Sequence, residues 1–153
     1  MPVHGWSAVK RIGSKLRWAT PGLVVLGWGV SIASLTLTAI TQGILVPHAF
    51  EYVLESNIGA LEVALYYAGI FGTSFLAGLV LARVAAALLA FFVSYVVGWL
   101  LAYLALSLPG LLGIVPEGVA EETAIVLTAT ALFPFALLVG MLGSLIGSAY
   151  RES

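Results

Sequence analysis

From Ile58 to Leu108 the chain is almost continuously apolar, with only two charged residues, Glu62 and Arg83. One helix over that stretch would rise about 75 Å at about 1.5 Å per residue. A bilayer core is about 30 Å thick and is crossed by about 20 apolar residues. The block is therefore too long for one crossing and suits two. Arg83 stands near its middle and predicts a hairpin turn there, between spans over about 58–80 and 84–106. Charge-free runs over about 22–46 and 123–148 predict one more span on each side.

The segment before the first span has a different pattern. Residues 1–20 carry Lys10, Arg11, Lys15 and Arg17 and no acid. Trp6, Val9, Ile12 and Leu16 recur at helical spacing. This predicts a short amphipathic helix on the membrane surface, with Trp6 and Trp18 at headgroup level. A disordered basic tail that only fixes orientation is the alternative. Thr20-Pro21-Gly22 is expected to break this segment from span one. The apolar run continues well past Ala33, longer than a signal-peptide core, so it is expected to remain as a span. The expected fold class is an all-α integral membrane protein. It is a four-transmembrane-helix bundle (residues 21–149) with an N-terminal interfacial helix (1–20) and a short tail (150–153).

Composition sharpens this picture. The chain is 61% hydrophobic and 8% charged, whereas soluble domains carry about 25% charged residues. A soluble domain of this size still needs a solvated surface, and a lipid-facing one removes the contradiction. Four spans place the N-terminus, the Arg83 turn and the C-terminus on one side, and all six Lys and Arg residues fall there. The other two loops, over 47–57 and 107–122, carry Glu51, Glu55, Glu117, Glu121 and Glu122 without a cation. The positive-inside rule then predicts a multi-pass protein of the plasma membrane with both termini cytoplasmic. A net charge of -1 gives no case for nucleic-acid binding. Absence of cysteine excludes disulfides, thiolate metal sites and a cysteine nucleophile.

Candidate chemistry is sparse. Glu62 is the one acid inside a predicted span, about one turn from its outer end, and Tyr66, Gly69 and Thr73 share its helical face. Span one carries hydroxyls at Ser31, Ser34, Thr38 and Thr41, also on one face. An intramembrane carboxylate is costly and usually faces the bundle interior, so Glu62, Tyr66, Thr73, Ser34 and Thr38 form a candidate coupling site. The simpler alternative is that Glu62 sits at the interface and reaches water. His48, Glu51 and Glu55 share one helical face, but two flexible loops without a second histidine make a poor ligand set. No metal or cofactor is therefore expected. Glu121 and Glu122 are expected in the first turn of span four, where acids suit the helix dipole.

Pro134 lies inside span four and predicts a kink, because its ring removes a donor and clashes with the carbonyl of Thr130. Gly143 and Gly147 form a small-xxx-small face, and Ser94, Gly98 and Ala102 form another on span three; both are helix-packing signals. No phosphate loop, metalloprotease motif, nucleophile elbow or clear internal repeat occurs. The leading expectation is a non-catalytic subunit or scaffold of a membrane complex. Its partners are the lipid bilayer and other membrane subunits, or further copies of itself. A small oligomeric transporter or channel coupled through Glu62 is the alternative, and an enzyme ranks last.

Overall fold

The computed structural model describes residues 6–45, 60–81 and 83–152, with residues 6–20 and 152 described through their backbone alone. Among these residues it is all-helical: α1 (Trp6–Thr41), α2 (Ala60–Leu81), α3 (Val84–Leu111), α4 (Glu117–Leu132) and α5 (Phe135–Glu152). Three stretches are long and apolar enough to cross a membrane, Pro21–Thr41, Ala60–Leu81 and Val84–Leu111. Together α4 and α5 meet the same test as a pair bent by 45° at a short break.

Two helix ends are set by the same device. Gly43 and Gly113 adopt positive φ, at 73° and 70°, where only glycine avoids a Cβ clash. Beyond each, the chain folds back onto its helix. Gly43 N–H donates to the Ile40 carbonyl and Ile44 N–H to the Ala39 carbonyl; Gly113 and Ile114 do the same to Gly110 and Pro109. These are Schellman caps, which satisfy carbonyls that a helix end leaves without donors. At the other turn Arg83 is extended and directly precedes α3, so the predicted hairpin falls where the charge marked it.

Several boundaries differ from the sequence expectation: span one ends at Thr41, ahead of the Gly43 cap, rather than near residue 46, and the others lie around proline. The helix α1 runs through Thr20 and Pro21 without interruption, where a break is predicted. Likewise α3 continues through Pro109 to Leu111, although Leu108-Pro109-Gly110 reads as its end. Proline removes only its own N–H, and the residues beyond it still donate; Gly113, with its positive φ, is the actual stop. The second loop is correspondingly short. α4 begins at Glu117, which is the acid in its first turn, so Glu121 and Glu122 lie further along the helix. The amphipathic face proposed for residues 1–20 and the His48, Glu51 and Glu55 set lie outside the described side chains.

Burial is inverted relative to a soluble protein. Among the described residues, ten of the seventeen buried hydrophobic residues are alanines, and the buried polar residues are all serines and threonines. Large aliphatic side chains such as Leu23, Leu65, Leu89, Val96 and Leu138 are exposed. In an apolar solvent nothing drives leucine inward, and small residues let backbones approach closely. This is the pattern of a membrane helix bundle.

Helix pairing follows the small residues. α2 packs mainly against α5, α1 against α3, and α4 against α3. A Cβ built on Gly143 would lie 2.6 Å from the Phe71 carbonyl oxygen, and one on Gly98 2.9 Å from that of Gly29. Gly78 and Gly147 similarly abut the backbones of Ser144 and Phe75. Ser94, Gly98 and Ala102 are all buried on α3. The small-residue faces thus form seams within this chain.

Candidate functional site

Where α4 stops and α5 starts, the backbone loses hydrogen bonds in the middle of an apolar bundle. Pro134 has no N–H to offer the Thr130 carbonyl. The residue before a proline is driven toward extended backbone, and Phe133 has φ -121° and ψ 137°. The kink expected at Pro134 takes the form of a 45° bend between α4 and α5, which are joined through a cis Phe133–Pro134 peptide. The carbonyls of Ala131 and Leu132 are left at the end of α4, where a helix terminus has no donor of its own to offer them.

Two tyrosines from neighbouring helices complete them. The Tyr66 hydroxyl, from α2, donates to the Ala131 carbonyl at 3.1 Å. The Tyr95 hydroxyl, from α3, donates to the Leu132 carbonyl. Tyr66 has one proton, and it is committed to Ala131, so the Thr36 hydroxyl at 3.4 Å is the donor to the Tyr66 oxygen. Thr36 is fully buried on α1. One chain of hydrogen bonds therefore links α1, α2 and the end of α4.

Deeper along the same bundle, the Trp28 indole N–H donates to the Ser74 hydroxyl at 3.2 Å. The Trp28 ring packs on Phe91, and Phe91 on Tyr95, each with centroids 5.5 Å apart. Gly140 of α5 leaves the room that the Phe91 ring occupies: a Cβ there would lie 2.7 Å from it. Aromatic contact and hydrogen bonding together hold four helices around the break. Ser94 and Ser144 are buried with no partner for their hydroxyls among the described residues; they lie in the α1–α3 and α2–α5 seams.

The residues singled out from sequence divide. Glu62 stands exposed in the first turn of α2. Together with Tyr66, Thr38, Gln42 and aliphatic neighbours it lines a groove of about 200 Å³ between α1 and α2. Thr73 lies further along α2, and its hydroxyl donates to the Gly69 and Ile70 carbonyls of its own helix. Ser34 is exposed and joins neither group. The stripe Ser31, Ser34, Thr38 and Thr41 faces outward or half outward, with Ser31 and Thr41 donating to their own helix. Thr36, outside that stripe, is the threonine of α1 that reaches the interior.

Trp28, Ser74, Tyr95 and Thr128 are absent from the sequence-based set. Thr128 is buried and donates to the Ala124 carbonyl of α4. A signal for Tyr95 was available in principle: a proline inside an apolar span demands a donor from elsewhere, and buried tyrosines are among the side chains able to supply one. Comparison with known proteins yields no match, whether to a family model, a curated sequence or a solved structure.

Proposed function

We propose that this protein is a non-catalytic subunit or scaffold of a membrane complex, acting by helix–helix packing. Its four spans, with α4 and α5 together forming the last, leave both termini in the cytoplasm of a cell bounded by the plasma membrane. The observation that carries the reading is the chemistry of the bundle centre. Among the described residues its buried polar groups are serine and threonine hydroxyls, with tyrosine and tryptophan as their bonding partners, and no carboxylate or cation. Such groups join helices without titrating or turning over a substrate. Because the glycine seams lie within the chain, a partner has to engage the aliphatic surface. Leu89, Val93, Val96 and Leu100 offer a ridge on α3, exposed and spaced by four, three and four.

A transporter remains the second reading, supported by a specific observation. Interrupted helices whose carbonyl ends face a bundle interior are used to hold ions in transporters. Here such an end lies beside Tyr66, which also lines the Glu62 groove. Purification in mild detergent discriminates the two. The scaffold reading expects a stoichiometric membrane partner to co-elute, and Leu-to-Ala or Val-to-Ala changes along the α3 ridge to release it. Elution without any partner, together with ion flux after reconstitution, would favour transport.

A further inference from the structure

The groove between α1 and α2 has a composition that selects a ligand class. Its walls are Leu35, Ala39, Ile44, Leu65 and Tyr66, and its polar groups are Thr38, Gln42 and Glu62. Tyr66 is buried and its hydroxyl is turned inward onto Ala131 and Thr36, so it backs the groove without offering it a polar group. Glu62 is exposed and makes no ion pair among the described residues. The groove follows the last two turns of α1, up to the Gly43 cap, and the first two of α2.

We infer that this groove binds an ammonium group carried on an apolar chain. Two features select that chemistry. The carboxylate supplies the opposite charge. The aliphatic walls accept a hydrocarbon tail, since ligand sites pair apolar walls with a few placed polar groups. An anionic amphiphile is rejected by Glu62, and a neutral one gains only from the walls. A volume of about 200 Å³ holds a headgroup and a short stretch of chain, with the remainder lying along the lipid-facing surface. The ammonium group can be that of a lipid headgroup or of a free amphiphilic amine. The inference stands whether or not the protein has a protein partner.

The test is a titration of the full chain, purified in maltoside detergent, with octylammonium, octanol and octyl sulfate. The expected result is saturable octylammonium binding, about fivefold tighter than octanol, with octyl sulfate weakest. Glu62→Gln should bring octylammonium to the octanol level without altering thermal stability. Leu65→Trp, which fills the groove from its rim, should weaken both. Competition then separates the sources. Displacement of octylammonium by an ethanolamine phospholipid, and not by a glycerol phospholipid, assigns the site to a lipid headgroup; failure of both lipids to displace it assigns it to free amines. Equal binding of octylammonium and octanol, or an octylammonium affinity unchanged in Glu62→Gln, would overturn the inference.

Discussion

The α2–α5 seam and the α4–α5 break solve the same problem in opposite ways. Along the seam, helices are held by what is missing: Gly78, Gly143 and Gly147 have no Cβ, so backbone meets backbone. At the break, they are held by what reaches across: two tyrosine side chains span from α2 and α3 to carbonyls that proline has stranded. The first arrangement rests on steric fit and tolerates no added atom. The second rests on one proton per contact and tolerates modest change, because intramembrane hydrogen bonds are individually weak, averaging about 0.6 kcal/mol. The two regions should therefore respond very differently to mutation.

The largest effect is expected at the seam. Gly147→Leu places a side chain against the Phe75 backbone, and neither backbone can yield without separating the helices. Overpacking of this kind costs about 3 kcal/mol. Thermal unfolding in mild detergent should show a large drop in midpoint or no folded protein. Gly72→Leu, on the same helix as Gly78 but with nothing near its Cβ position, should leave the midpoint nearly unchanged. Equal effects at the two glycines would break the comparison.

Tyr66→Phe and Tyr95→Phe should each cost about 1 kcal/mol, since each strands one carbonyl and leaves the ring packing intact. Their combination is more informative than either alone. With Ala131 and Leu132 both without donors, the end of α4 should open more readily, and amide exchange should rise in the last turn of α4 and first turn of α5. Unchanged exchange there would show that the tyrosines do not hold the break. Trp28→Phe, which removes the donor to Ser74 but keeps an aromatic ring against Phe91, should cost less than about 1 kcal/mol, read from the same unfolding curves.

How much of this was legible beforehand depended on which signal the membrane preserves. Charge survives as a signal because it is expensive in lipid. Arg83 accordingly marked the turn before α3, and Glu62, one turn inside the predicted span, lies in the first turn of α2. Small-residue spacing also survives, as Gly143 and Gly147 show. Amphipathicity does not. In a lipid-facing bundle both helix faces are apolar, so period alone picks a stripe without saying whether it points inward. The span-one stripe at Ser34 and Thr38 was chosen on period and faces outward, while Thr36 between them is buried. Proline misled twice as a terminator, at Pro21 and Pro109, and marked a real interruption at Pro134. At Pro134 tyrosines from α2 and α3 reach the freed carbonyls, and after Pro109 the stop is set by Gly113; a local reading weighs neither.

The smallest structural effect is expected at Glu62. Glu62→Gln preserves size and hydrogen bonding at an exposed position, so stability and assembly should move by less than about 1 kcal/mol. The same substitution gives the most direct test of the central claim, that this bundle packs against its neighbours and transports nothing through a titrating carboxylate. The measurement is pH-driven flux across vesicles reconstituted with the native protein and with Glu62→Gln. Neither form should give flux above that of protein-free vesicles. A flux present with the native protein and lost in Glu62→Gln would contradict it.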